Sequence, residues 1–109
     1  MSDCIFCKII ERQIPSQIVY EDDDCLAFKD IRPSAPVHLL LIPKKHIESL
    51  LDLSSDDEAL MGRIMLNIPK IARENGLGNG FKTQINTGKA GGQEVFHLHI
   101  HIMGRPVNN

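Results

Sequence analysis

The run His97-Leu98-His99-Ile100-His101-Ile102 alternates an imidazole with an aliphatic side chain without a break. An extended chain sends successive side chains to opposite faces. Read as a strand, the run places His97, His99 and His101 in a row on one face. Leu98, Ile100 and Ile102 then point into a core. Imidazole has the ordinary pKa nearest neutrality, so a row of three offers a nucleophile, proton donors and metal ligands together. The plainer reading is a polar sheet face that happens to be rich in histidine. The scarcity of the residue (5 in 109 positions) and the strict apolar alternation argue against it.

The length of 109 residues suits one domain, 1–109, with one core. A hydrophobic content of 42% is ordinary for a globular chain, which argues against disorder. A net charge of -2 argues against a protein built around the duplex phosphate backbone, so no nucleic-acid partner is expected. A small nucleotide needs only a local site. The longest apolar run, Val37 to Ile42, is broken by His38 and falls far short of a membrane span. Met1-Ser2-Asp3-Cys4 has no basic region leading into an apolar stretch, so the expected location is cytoplasmic. The cysteines are Cys4, Cys7 and Cys25, an odd number that speaks against a disulfide framework. Cys4-x-x-Cys7 is a metal pair, a redox pair or a coincidence. Cys25, within Cys25-Leu26-Ala27-Phe28, reads as a small buried hydrophobe.

The pattern predicts an α+β fold: an antiparallel meander with one long and one short helix. Ile5, Phe6, Ile9 and Ile10 have helical spacing, and Pro15 ends that region. Ser16–Glu21 and Cys25–Lys29 read as strands joined by a solvated acidic turn at Asp22-Asp23-Asp24. Val37–Pro43 reads as a central strand. Ser55-Asp56-Asp57-Glu58 resembles a capping box with Ser55 at the N-cap and Glu58 at N3. Leu60, Met61, Ile64, Met65, Ile68, Ile71 and Ala72 then mark the main amphipathic helix. Pro69 lies inside it, and Gly76 stops it. Phe81–Thr87 reads as a further strand. The glycine-rich connection Thr87–Gln93 leads into the histidine run, and Gly91-Gly92-Gln93 offers backbone N–H groups to an anion.

The motif His97-Leu98-His99-Ile100-His101-Ile102-Met103 resembles the signature of the histidine triad (HIT) family of nucleotide hydrolases and transferases. The likeness extends to Ile5-Phe6-Cys7-Lys8-Ile9-Ile10, to Cys25–Ile31, to Pro36–His46, to Asn86 and to Gly91-Gly92-Gln93. These segments are similar to the nucleoside phosphoramidase branch. The resemblance implies a homodimer, each subunit a five-stranded antiparallel sheet with a long helix. It implies hydrolysis of nucleoside 5'-phosphoramidates of AMP type through a nucleotidyl-histidine intermediate. On that likeness His99 is the nucleophile, His101 meets the α-phosphate, and His97 and His46 order and polarise the site. Asp30 binds the ribose. Ile5, Phe6, Ile9, Ile14 and Ile31 line the base pocket, while Asn86 and the backbone near Gly92 and Gln93 hold the phosphate. The route itself needs no metal.

Two features depart from the pattern. Relatives often carry a hydroxyl residue where this chain has Glu94, and an ionised carboxylate there repels phosphate. The chain also ends soon after Gly104-Arg105-Pro106, which leaves the leaving group open. Some bacterial relatives bind zinc through a cysteine pair and two histidines. The matching residues are Cys4, Cys7, His46 and His97, a normal tetrahedral set for a structural zinc. His38 reads as a satisfied structural histidine. Lys44-Lys45 reads as a steering patch for an anion or as a solvated strand end. Alternative functions are a dinucleoside polyphosphate hydrolase of the same family and a nucleotide-binding interaction module with little turnover.

Overall fold

The computed structural model describes residues 3–107. Its strands are β1 (Ile18–Glu21), β2 (Cys25–Lys29), β3 (Val37–Pro43), β4 (Lys82–Gln84) and β5 (Ile100–Gly104). The helices are α1 (Ile5–Ile10) and α2 (Glu58–Glu74). All strand pairs are antiparallel, in the order β1-β2-β3-β5-β4. The meander therefore holds only for β1 to β3. The chain then runs through α2 to β4 at the far edge and returns with β5 slotted between β3 and β4. The sequence explains the slot. β5 carries aliphatics that need burial, whereas Lys82, Thr83 and Gln84 are exposed and tolerate an edge.

β3, apolar apart from His38, is buried on both faces, as a central strand requires. Alternation across the sheet builds two cores. Cys25, Ala27, Leu39, Leu41, Ile100 and Ile102 pack against Ile64, Ile68, Ile71 and Ala72 of α2. Leu26, Phe28, Leu40 and Ile42 pack against Phe6 and Ile9 of α1. Burial pushes the Cys25 thiol up to about 12, in keeping with an inert core residue.

Several boundaries differ from the sequence expectation. The capping box uses Ser54 and Asp57 rather than Ser55 and Glu58. The Ser54 N–H donates to Asp57 Oδ2 at 3.1 Å, and Lys45 Nζ donates to Asp57 Oδ1 at 2.6 Å. The box caps a 3₁₀ turn, Ser55–Asp57, and α2 begins only at Glu58. Tying Asp57 to Lys45 sets the helix start against the end of β3, and so helps to fix His46. Lys44 pairs with Glu21 at 2.8 Å, so neither lysine is a free steering charge. α2 runs on through Pro69 and stops at Gly76. Gly76 has φ +85, and Leu77 N–H reaches back to the Ala72 carbonyl at 2.8 Å.

β1 starts at Ile18 rather than Ser16, and the strand expected over Phe81–Thr87 shrinks to β4. The acidic turn is not merely solvated. Asp22 Oδ1 accepts the N–H groups of Asp24 and Cys25 at 2.8 and 2.9 Å. Its Oδ2 accepts from Tyr20 Oη and Asn67 Nδ2 at 2.7 and 3.0 Å. Burial pushes the carboxyl up, but these hydrogen bonds outweigh it and hold Asp22 down to about 2.

Candidate functional site

The histidine run does not form one uninterrupted strand. His97 sits in a bend, His99 lies just ahead of β5, and only His101 lies within β5. The bend is fixed where Leu98 N–H donates to the Ile47 carbonyl at 2.6 Å. Leu98, Ile100 and Ile102 are buried as the alternation requires. The consequence of the bend is a division of labour. The His97 ring turns to one cluster, and the His99 and His101 rings to another.

The first cluster joins Cys4, Cys7, His46 and His97. Cys4 is the N-cap of α1, so Cys4 and Cys7 lie one helical turn apart, and the Cys7 N–H donates to Cys4 Sγ at 3.3 Å. His97 Nδ1 is 3.2 Å from Cys4 Sγ, 3.6 Å from Cys7 Sγ and 3.1 Å from His46 Nδ1. His46 Nδ1 is 3.3 Å from Cys7 Sγ. His97 Nε2–H donates to the Pro43 carbonyl at 2.8 Å, which leaves the Nδ1 lone pair facing the sulfurs. Burial, with help from the neighbouring His46 and His99, pushes the fully buried His97 below the ordinary imidazole range. It is therefore a neutral, pre-oriented donor.

All four donor atoms lie within 4.8 Å of one another. A tetrahedral zinc with sulfur and nitrogen ligands spaces its donors about 3.3–3.8 Å apart. The residues fit a metal ion of that kind.

The second cluster lines a cleft of about 450 Å³. His99 Nδ1–H donates to the His97 carbonyl at 2.7 Å, so the lone pair is on Nε2. Phe6 meets His99 edge-on with centroids 5.1 Å apart, and holds the ring in place. The Ser34 N–H donates to His38 Nδ1 at 2.9 Å. A backbone amide can only donate, so His38 is neutral and its proton is on Nε2. That proton points to His101 Nδ1, 2.8 Å away, with Asp30 Oδ2 at 3.4 Å. His101 in turn carries its proton on Nε2. Burial, then His99 and His38, push His101 below the ordinary imidazole range, so it stays neutral.

Asp30, His38 and His101 also bring three donor atoms within 4.8 Å. Here the tautomers oppose a metal. Coordination at His38 Nε2 would displace a proton that Nδ1, already accepting from Ser34, cannot take.

Most of the expected site residues meet at this cleft. Ile5, Phe6, Ile9, Ile14, Asp30, Ile31, Asn86, Gly92 and Glu94 line it with His99 and His101. Ile31 does so at the rim, being 90% exposed. Of the two roles expected of His46, the structure places it with the cysteines and His97 and not in the cleft, where the imidazole beside His101 is His38. Gln93 is buried away from the cleft, where its amide donates to the Glu48 and Val95 carbonyls at 2.6 and 3.0 Å. Nor do Gly91, Gly92 and Gln93 form an anion nest. Their N–H groups donate to the carbonyls of Gly88 and Lys89 in a 3₁₀ turn. Gly92 closes that turn at φ +83, a conformation that favours glycine. Asn86 fastens it, with Nδ2 donating to the Gly91 carbonyl at 2.8 Å.

His38 was missed because its sequence signal is an apolar strand. Its register opposite Met103 on β5 was not visible there. Exposed Glu94 lines both this cleft and a second cavity shared with Asp3, Cys4 and His46.

The family model described as "Scavenger mRNA decapping enzyme C-term binding" matches residues 3–109. Protein HitA of Neisseria gonorrhoeae is 61% identical over 107 residues, covering 98% of this chain and 100% of that protein. A HIT family hydrolase from Legionella pneumophila Philadelphia 1 superposes with a TM-score of 0.90 at 47% identity, covering 94% of this chain and 92% of its own. A histidine triad protein from Clostridium difficile gives a TM-score of 0.90 at 49% identity, covering 100% of this chain and 96% of its own. Among the described residues no helix is long and apolar enough to cross a membrane. Matched along nearly all its length by motif, fold and relatives, the chain belongs to the histidine triad family.

Proposed function

We propose that this protein is a nucleotide hydrolase that cleaves purine nucleoside 5'-phosphoramidates, AMP–amine bonds above all. The observation that carries this reading is the pair of set tautomers in the cleft. His99 keeps a lone pair on Nε2, and His101 keeps a proton on Nε2. A neutral imidazole is a competent nucleophile at phosphorus, and a covalent intermediate splits one difficult displacement into two easier ones. His99 Nε2 attacks the α-phosphorus and the P–N bond breaks. The departing amine takes up a proton from solvent, and the later attack of water on the intermediate returns one. Water then attacks the nucleotidyl-histidine, releasing the nucleoside monophosphate and restoring His99. His101 Nε2–H donates to a phosphate oxygen as charge builds, and His38 and Asp30 hold it there. Asp30 keeps one oxygen for the ribose, since its Oδ1 already accepts from the Arg32 N–H at 2.8 Å. The names of the Legionella relative and of a Clostridium thermocellum relative, both HIT family hydrolases, agree in reaction class.

Turnover of adenosine 5'-phosphoramidate and of diadenosine polyphosphates, measured side by side, tests the reading. A clear preference for the phosphoramidate is expected. Preference for the polyphosphate would move the assignment to the alternative hydrolase. AMP binding with no turnover of either would make the protein a binding module.

We also propose a structural zinc held by Cys4, Cys7, His46 and His97. It supplies a cross-link between α1, the end of β3 and the triad segment, and takes no part in the displacement. A homodimer is the third element of the proposal. It would cover Met65 and Leu66 on α2 and Phe81 beside β4, which are 52%, 77% and 40% exposed. Sedimentation at micromolar concentration should give twice the chain mass, and a monomer would overturn it.

A further inference from the structure

The sheet gives the cleft a direction. Gln84, His101, Leu40 and Phe28 are successive register partners on β4, β5, β3 and β2, and all four line the cleft. Neighbouring strands are about 4.8 Å apart, so His101 and Phe28 are separated by about 10 Å. The cleft thus runs from imidazoles at one end to an apolar wall at the other. A nucleotide whose phosphate lies over His101 has its base at the Phe28 end.

Ser16 lines that end, just ahead of β1. Its Oγ is the one buried side-chain polar atom among the described residues with no hydrogen-bond partner. It shares the cleft with the apolar side chains of Ile14, Phe28 and Leu40, and the Lys29 N–H bond to the Gln17 carbonyl at 3.0 Å carries the Ser16 segment alongside Asp30. Native folds rarely leave a buried hydroxyl unsatisfied, and an exception calls for a reason.

We propose that Ser16 is a base-recognition residue, whose hydroxyl hydrogen-bonds the polar edge of a purine held at the Phe28 end. This rests on the nucleotide reading of the cleft and adds a specificity residue to it. One torsion moves Oγ among three staggered positions, so the hydroxyl can turn to an incoming base. A hydroxyl both donates and accepts, so it serves adenine and guanine alike. A pyrimidine, shorter by one ring, stops short of it. Ser16 therefore selects by ring size rather than by the exocyclic group.

Calorimetric titration of wild type and Ser16→Ala with AMP and with CMP, alongside thermal melting, tests this. Ser16→Ala should bind AMP about ten-fold more weakly, as for one lost hydrogen bond. CMP affinity should not change. The melting temperature should hold or rise, because the variant removes an unpaired buried hydroxyl. Unchanged AMP affinity would overturn the proposal. So would an equal loss for both nucleotides, or a lower melting temperature, since either marks a structural hydroxyl. If the wild type binds neither nucleotide, the nucleotide reading fails first and takes this inference with it.

Discussion

His99→Ala will lower the turnover of adenosine 5'-phosphoramidate by at least about 10³-fold, the scale on which removing an attacking nucleophile acts. AMP binding will persist, because the base end of the cleft and the His38 contact of His101 remain in the variant. Two features make the expected loss so large. The Nδ1–H is already committed to the His97 carbonyl at 2.7 Å, so the reactive lone pair needs no tautomer change. The ring is held edge-on by Phe6, so little orientational freedom is lost on reaction. Trapping the nucleotidyl enzyme by rapid acid quench of wild type, but not of His99→Ala, is the direct check. Wild-type turnover in the variant would move the attack to another group. His101→Ala provides the contrast. It should lose activity less steeply, since it removes a donor to the phosphate rather than the attacking atom.

How far this site could be read from sequence depends on which contacts are local. The alternation over His97–Ile102 placed the aliphatics in the core correctly, because side-chain direction in extended chain is a property of neighbours. It could not show the bend at His97. That bend depends on Ile47, fifty-one positions earlier, accepting the Leu98 N–H. Contacts between the histidines lie outside the alternation for the same reason. His38 meets His101 only through the pairing of β3 with β5, and His46 meets His97 only where β3 runs out. The glycine-rich turn was read from composition as a source of free amides. Its N–H groups are in fact occupied by carbonyls three to five residues back. The capping box slipped by one residue because Ser54 and Ser55, and Asp57 and Glu58, fit the same pattern. Lys45 tips the choice to Asp57 by pairing with it. In contrast, β2, β3, α1 and the stop at Gly76 were legible, since each rests on a run of apolar residues or one special φ.

Removing Cys4 and Cys7 will do more than empty the proposed zinc site. Protein purified without added metal should contain about one zinc per chain, and Cys4→Ser/Cys7→Ser should contain almost none. A ligand bound at 100 to 1,000 times its Kd stabilises a fold by about 2.7–4.1 kcal/mol. The double variant should lose stability on that scale. α1 explains why the loss reaches the cleft. With six residues it is far too short to persist alone, and it relies on Phe6 and Ile9 in the core and on the cluster at its first turn. The same turn supplies Ile5 and Phe6 to the cleft wall, and Phe6 touches both His97 and His99. Loosening Cys4 and Cys7 therefore loosens the base wall and the packing of the nucleophile together. His97 adds a second link, since its ring faces the sulfurs while its carbonyl holds His99. AMP affinity and the ring ¹⁵N shifts of His99 should both change in the double variant, and in wild type treated with a strong chelator. A metal-free wild type with the same melting curve, AMP affinity and ring shifts would show that the four donors are only packed side chains. Retained stability with altered His99 shifts would leave the metal outside folding while keeping its link to the nucleophile through His97.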